Sequence, residues 1–162
     1  MSILTLATKD GGKKMIYSGN NKDIRILVVD DDNDTRAMIR LMLKKAGFYN
    51  VVETGDPGNA LKKLDSNHID LVLLDWWMPK VEGIDVLKSI RAEDKDLPVI
   101  MLTFENKQSK VIQALKAGAS DYLLKPFTHQ VLAKKVELAL KKTEDNFYMT
   151  TGAEEVVLEA TR

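Results

Sequence analysis

Short apolar runs alternate with helix-like segments from residue 24 to residue 142, and this alternation is the feature that most constrains the fold. The runs are too short for helices and are rich in valine and isoleucine, as strands are. Gly47 and Gly118 stand where glycines end helices. The predicted strands are residues 24–29, 51–53, 69–74, 98–102 and 121–124. The predicted helices are residues 33–46, 57–65, 83–91, 108–116 and a last helix that Thr128 caps and that ends near Lys142.

Five consecutive strand–helix units predict an α/β fold with a parallel sheet and helices on both faces. Right-handed crossovers leave few topologies for 162 residues. The natural one is the flavodoxin-like, doubly wound five-stranded sheet of order 2-1-3-4-5. The first and third strands are neighbours in that order, so the residues that follow them should meet at one edge.

The segments outside this core differ from it in character. We expect residues 23–143 to form the domain, residues 1–22 to form an N-terminal extension with a hairpin around Asp10, and residues 144–162 to form an acidic tail. The extension is basic and both segments carry apolar residues, so we expect them to pack together, within one chain or across a homodimer. Disorder of both segments is the alternative.

Polar residues follow the predicted strands where ligand sites form in such sheets. Asp30 and Asp31 follow the first strand and Asp75 closes the third. Adjacent carboxylates repel each other by roughly 1 kcal/mol or more per close pair, a strain that a divalent cation relieves. Oxygen ligands of this kind suit Mg²⁺. The alternative is that the acids after the first strand only supply a cap for the following helix.

Two further residues at strand ends suit a phosphoryl site. Lys125 precedes Pro126 after the fifth strand and can hold a phosphoryl oxygen as a point charge, unless it is an ordinary surface lysine. Thr103 follows the fourth strand and can donate to the same anion, unless it is only a strand-favouring residue. Tyr122 is most simply a half-buried aromatic residue of the edge strand.

Composition excludes several classes of function. Acidic and basic residues balance at 24 each, so no global charge favours nucleic acid or an anionic membrane. The absence of cysteine excludes disulfides and thiolate catalysis. The charges of the N-terminus follow its apolar residues, the wrong order for a secretory signal, and no apolar stretch approaches bilayer length. We therefore expect a cytoplasmic protein without membrane insertion or direct nucleic-acid binding.

From residue 24 to residue 142 the chain resembles the receiver domain of two-component response regulators, the single-domain chemotaxis regulators in particular. Each motif is moderately specific, and their order along the chain makes the set highly specific. The motifs are Val28-Val29-Asp30-Asp31-Asp32, Leu74-Asp75-Trp76-Trp77-Met78-Pro79, Gly83, Leu102-Thr103, Ala117-Gly118-Ala119 and Tyr122-Leu123-Leu124-Lys125-Pro126-Phe127.

The resemblance implies a phosphorylation switch rather than an enzyme, with intrinsic autophosphatase chemistry at most. Asp75 would accept a phosphoryl group from a sensor histidine kinase, and an unknown output protein would then bind. The implied Mg²⁺ ligands are Asp31, Asp75 and the Trp77 carbonyl, with Asp30 acting through a water. Thr103 and Lys125 would hold the phosphoryl oxygens. Tyr122 would turn inward as Thr103 moves, and the Lys125–Pro126 peptide would be cis.

Two residues depart from the family pattern. Phe104 stands where the family usually has a small residue, and Trp77 is unusually bulky beside the route of an attacking water. Within the class, the chain is either a complete regulator or a receiver from a larger protein. A Mg²⁺-dependent aspartyl-phosphate phosphatase is the less favoured alternative. Such an enzyme needs a second acid close after its aspartyl nucleophile as general acid and base, and Trp77 occupies that position. A flavin-binding module of the same topology is disfavoured because three aspartates replace a phosphate loop.

Overall fold

The computed structural model describes residues 3–7, 13–17, 21 and 23–151, with the side chains of residues 21 and 23–142. A pair of short strands precedes a series of alternating strands and helices. In chain order the elements are β1 (Ile3–Ala7), β2 (Lys13–Tyr17), β3 (Arg25–Val29), α1 (Asn33–Lys45), β4 (Asn50–Thr54), α2 (Pro57–Ser66), β5 (Leu71–Asp75), α3 (Gly83–Glu93), β6 (Val99–Thr103), α4 (Gln108–Lys116), β7 (Asp121–Leu124) and α5 (His129–Thr151).

The main sheet has the order β4-β3-β5-β6-β7, with every neighbouring pair parallel. This is the predicted order 2-1-3-4-5, counted from β3. Val29 pairs with Leu74 in the register of β3 and β5, so the residues after β3 lie beside the end of β5. The predicted adjacency of the acidic residues therefore follows from the strand order.

Both faces of the sheet are covered, as predicted for a doubly wound fold. Alternate residues of β3 and β5, such as Leu27 and Val72, pack against buried residues of α2, α3 and α4. The intervening residues, such as Val28 and Leu71, pack against buried residues of α1 and α5. Central strands that are buried on both faces have continuous apolar sequences, which is why the sequence identified them clearly.

The helix ends are mostly those that the sequence indicated. Gly47 after α1 has a φ of 91° and Gly118 after α4 has a φ of 96°, the left-handed conformation that glycine adopts without strain. Thr128 caps α5, because its carbonyl accepts from the Leu132 N–H at 3.1 Å and its hydroxyl accepts from the Val131 N–H at 3.4 Å. The expected end of this helix near Lys142 was wrong, since α5 continues to Thr151.

The N-terminal strands β1 and β2 pair antiparallel, with Ile3 opposite Tyr17 and Ala7 opposite Lys13. The expected turn around Asp10 lies outside the described residues, as does the expected packing of the extension against the tail. Among the helices of the described part, none is long and apolar enough to cross a membrane.

Candidate functional site

Three carboxylates meet where β3 and β5 end. Asp30 and Asp75 are buried, whereas Asp31 is exposed at the opening. One oxygen from each of the three lies within 4.8 Å of the others. Carboxylate oxygens with access to water are the ligands that Mg²⁺ prefers. The residues present thus fit the magnesium site that the sequence predicted.

Lys125 lies between the two buried acids. Its Nζ donates to Asp30 Oδ2 at 2.6 Å and to Asp75 Oδ1 at 2.7 Å. The Lys125–Pro126 peptide that follows is cis, as the resemblance implied. The sequence placed this lysine at the end of the fifth strand as a candidate phosphoryl ligand, and the structure joins it directly to both acids.

Burial and charge set the ionisation of this pair. Burial raises the pKa of the Asp75 carboxyl above its ordinary value of 3.8, although the hydrogen bond and the charge of Lys125 oppose the rise. Burial alone would lower the pKa of Lys125, but its hydrogen bonds to Asp30 and Asp75 outweigh that effect and raise it above 10.5. Lys125 is therefore a fixed cation at neutral pH beside a carboxylate that burial makes more basic than usual.

The helix cap and the site use different acids of the run that follows β3. Asp32 caps α1, because its Oδ1 accepts from the Thr35 N–H at 2.6 Å. Asp30 faces the site, and its Oδ1 accepts from the Asp32 N–H at 2.9 Å. The cap therefore uses Asp32, and it leaves the carboxylates of Asp30 and Asp31 beside that of Asp75, where the magnesium site stays a prediction.

The two expected switch residues are joined through Glu105. Thr103 is fully buried, and its Oγ1 accepts from the Glu105 N–H at 3.0 Å. The Tyr122 hydroxyl donates to the Glu105 carbonyl. Glu105 could not be identified from the sequence, because this residue takes part through its backbone.

Aromatic rings flank the acceptor. Trp76 is buried in the core, whereas Trp77 is 48% exposed and Phe104 is 71% exposed. The Nζ of Lys110 lies 4.8 Å from the Trp76 ring centroid and 5.2 Å from that of Trp77. The Lys125 Nζ lies 5.4 Å from the Phe104 ring centroid. The exposed Phe104 ring thus lies beside Lys125 of the site, and Lys110 connects α4 to the two tryptophans after Asp75.

Arg36 contacts the acidic run, a role that was not predicted from the sequence. This arginine of α1 donates through Nη1 to the Asp30 carbonyl at 2.6 Å, so it touches the backbone of the acidic run. The spacing of six residues between Asp30 and Arg36 does not by itself predict this contact. The contact depends on the direction of the arginine side chain, which a helical pattern does not give.

The family model of the response regulator receiver domain matches residues 26–137 of this chain. The chain belongs to the response regulator receiver family. Proteins of this kind are signalling proteins rather than classical enzymes, and they bind Mg²⁺ at an acidic pocket. The family therefore agrees with the resemblance that the motifs carried.

Named relatives support the same assignment. The chemotaxis protein CheY of Pseudomonas aeruginosa is 43% identical over 116 residues, which are 70% of this chain and 94% of that protein. The chemotaxis protein CheY-3 of Vibrio cholerae is 42% identical over 119 residues, 72% of this chain and 92% of that one. The crystal structure of a CheY-like receiver domain protein from Methanospirillum hungatei matches with a TM-score of 0.71 and 28% identity, covering 76% of this chain and 98% of that chain.

Proposed function

We propose that this receiver is a Mg²⁺-dependent phosphorylation switch in which Asp75 accepts a phosphoryl group from a sensor histidine kinase. A carboxylate oxygen of Asp75 forms the new P–O bond while the P–N bond to the kinase imidazole breaks, and the imidazole nitrogen takes the bonding electrons. The observation that carries this proposal is the Lys125 ammonium between Asp30 and Asp75, with the exposed Asp31 beside them.

The charges of the site suit this transfer. The transferred phosphoryl carries its charge on three oxygens, so catalysis depends on fixed cations more than on a base. Asp31, Asp75 and the Trp77 carbonyl would hold Mg²⁺, with Asp30 acting through a water. The ion would offset the carboxylate charge and bind a phosphoryl oxygen. Lys125 is already oriented by two hydrogen bonds and would hold a second oxygen.

The hydrogen bonds of Glu105 support a route from the site to the surface. If the Thr103 hydroxyl turns to a phosphoryl oxygen, the Glu105 N–H loses its present acceptor. The carbonyl of the same residue holds the Tyr122 hydroxyl, so movement of this backbone frees the ring to turn inward. Tyr122 is on β7, which contacts α4, and α4 exposes Ile112 and Leu115. A change at the acceptor thereby reaches an apolar surface that an output protein can bind.

The remaining assignments complete the proposal. Residues 23–143 are the receiver domain, with residues 1–22 as an extension and residues 144–162 as a tail. The protein is cytoplasmic, signals by binding an output protein or a second copy of itself, and contacts no nucleic acid directly. Its own chemistry is limited to slow loss of the phosphoryl group to water.

Phosphorylation by a small donor tests the proposal. The wild type is incubated with phosphoramidate, with and without Mg²⁺, and its intact mass is measured. We expect one phosphoryl group with Mg²⁺ and none in Asp75→Asn. Asp32→Asn is the matched control, because asparagine also caps a helix and Asp32 is outside the carboxylate cluster. Phosphorylation of Asp75→Asn at the wild-type rate would contradict the proposal.

A further inference from the structure

Arg36 is an unusually buried arginine on the first turns of α1. Its side chain is 15% exposed, although arginine is mostly exposed in folded proteins. Its Nη1 donates to the Asp30 carbonyl at 2.6 Å, and its Nη2 donates to the Asn33 side chain. Its buried Nε has no hydrogen-bond partner among the described residues and lies 3.8 Å from Glu53 Oε2. A buried donor without a hydrogen bond, such as this Nε, costs free energy. An apolar side chain would fill the same space without that cost, so packing alone does not account for an arginine here.

The bond from Arg36 fixes the peptide that joins two candidate ligands. The Asp30 carbonyl belongs to the peptide group between Asp30 and Asp31, so its direction sets where the Asp31 carboxylate stands. The other groups of Asp30 are held as well: its N–H donates to the Thr54 carbonyl at 3.2 Å, and its Oδ2 accepts from Lys125 at 2.6 Å. These bonds leave the Asp30 carbonyl free, and Arg36 holds that carbonyl.

The surroundings of Arg36 leave room for this bond. A Cβ at Gly55, after β4, would lie 2.9 Å from Arg36 Nη1, closer than side chains normally approach. The glycine therefore opens the space through which the guanidinium reaches the Asp30 carbonyl. Arg36 is not needed merely to link α1 to β4, because Arg40 Nη1 of the same helix donates to Glu53 Oε1 at 2.6 Å.

We propose that Arg36 is a positioning residue for the magnesium site: it holds the peptide between Asp30 and Asp31 so that the Asp31 carboxylate meets that of Asp75. This inference rests on the proposed Mg²⁺-dependent function. Arg36 touches neither the ion nor the phosphoryl group and acts through the backbone. Residues that orient metal ligands in this way typically change metal affinity about 10–100-fold when replaced.

Mg²⁺ titration of three variants tests the proposal, with tryptophan fluorescence as the readout. Arg36→Met keeps the length of the side chain and removes its donors, and we expect its Mg²⁺ Kd to rise about tenfold. Arg36→Lys keeps the charge. A single ammonium does not match the geometry in which the guanidinium donates to both the Asp30 carbonyl and the Asn33 side chain, so the Mg²⁺ Kd of this variant should also rise. Arg40→Met is the matched control on the same helix with the same partner, Glu53, and should bind Mg²⁺ like the wild type.

A second measurement separates positioning from general damage to the fold. At saturating Mg²⁺, the rate at which phosphoramidate phosphorylates Arg36→Met should return towards the wild-type rate, because the excess ion compensates for weaker binding. A damaged fold would not recover in this way. Circular dichroism verifies that each variant is folded. If Arg36→Met does not fold, Asn33→Ala replaces it, since that change removes one acceptor of the guanidinium and should raise the Kd by a smaller factor.

Three results would overturn the proposal: an unchanged or lower Kd in Arg36→Met, an equal rise in Arg40→Met, or, where Asn33→Ala is used, an unchanged Kd in that variant. A lower Kd would mean that the charge of Arg36 repels the ion more than its hydrogen bond orients the ligands. Failure of the wild type itself to bind Mg²⁺ would instead refute the proposed function, and the wild-type titration shows this independently of Arg36.

Discussion

Replacing Gly83 by alanine should damage the acceptor strand, although Gly83 is the first residue of a helix. A Cβ at this position would lie 2.0 Å from the Asp75 carbonyl oxygen and 3.2 Å from the Trp76 Cα. Ordinary contact begins near 3.4 Å. Both obstacles are backbone atoms, so no change of rotamer relieves them. The start of α3 and the end of β5 would have to separate by well over an ångström.

Two effects of opposite sign decide the magnitude. Alanine favours the helical conformation over glycine by up to about 1 kcal/mol. Forced separation of packed elements costs about 1–3 kcal/mol, and weakening the hydrogen bond from the Gly83 N–H to the Trp76 carbonyl costs about 1 kcal/mol more. That bond is 2.7 Å long in the intact structure. We expect Gly83→Ala to lower the free energy of unfolding by about 2 kcal/mol.

Urea denaturation measures this loss, and Gly58→Ala is its matched control. Gly58 is in the first turn of α2, where a Cβ would meet only the Asp56 side chain, at 3.3 Å. Gly58→Ala should therefore leave stability unchanged or raise it by up to about 1 kcal/mol. Displacement of Asp75 should also slow phosphorylation of Gly83→Ala about tenfold or more. A Gly83→Ala protein as stable as Gly58→Ala would refute the steric argument.

Four further predictions follow from the site and its surroundings. Asp31→Ala should abolish the change in tryptophan emission that Mg²⁺ produces, and a titration curve like that of the wild type would show the ligand assignment to be wrong. Burial raises the pKa of Asp75, so its carboxylate is protonated as the pH falls through a value above 3.8. As the pH is lowered, Mg²⁺ affinity should therefore begin to fall at a higher pH than the titration of an ordinary aspartate would require. Fluorescence titrations at a series of pH values measure this, and a fall only at or below pH 3.8 would contradict it. Trp77→Asn should accelerate loss of the phosphoryl group, measured by intact mass over time, because the bulky ring obstructs in-line attack by water; unchanged or slower decay would count against the obstruction. If the two terminal segments pack together, trypsin should cleave residues 1–22 slowly in the intact protein, and rapid cleavage there would show that nothing holds this extension.

The strand ends could be predicted from the sequence because short apolar runs locate them and the strand order makes them adjacent. Asp30, Asp31 and Asp75 meet for that reason, and no contact had to be known in advance. Lys125 was placed on the same edge by the same reasoning. Its direct bonds to two acids could not be predicted, because they depend on where a long, flexible side chain points.

Two features show where sequence reasoning fails. No glycine or proline interrupts the chain between Lys142 and Gly152, so α5 had no stop signal near the end that we expected, and it continues to Thr151. Arg36 lies on a helix whose spacing indicates only which face is apolar. Its bond to the Asp30 carbonyl depends on the space beside Gly55, which becomes visible only when β4 is placed next to β3.

Locating the phosphoryl group in the chain tests whether Asp75 is the acceptor. The wild type is phosphorylated with phosphoramidate and Mg²⁺ and then treated with sodium borohydride, which reduces an acyl phosphate to an alcohol and releases phosphate. An aspartyl phosphate is thereby converted to homoserine, which peptide mass spectrometry locates in the chain. We predict homoserine at position 75 and at no other aspartate. Reduction at Asp30 or Asp31, or a phosphoryl group that borohydride leaves in place, would contradict it.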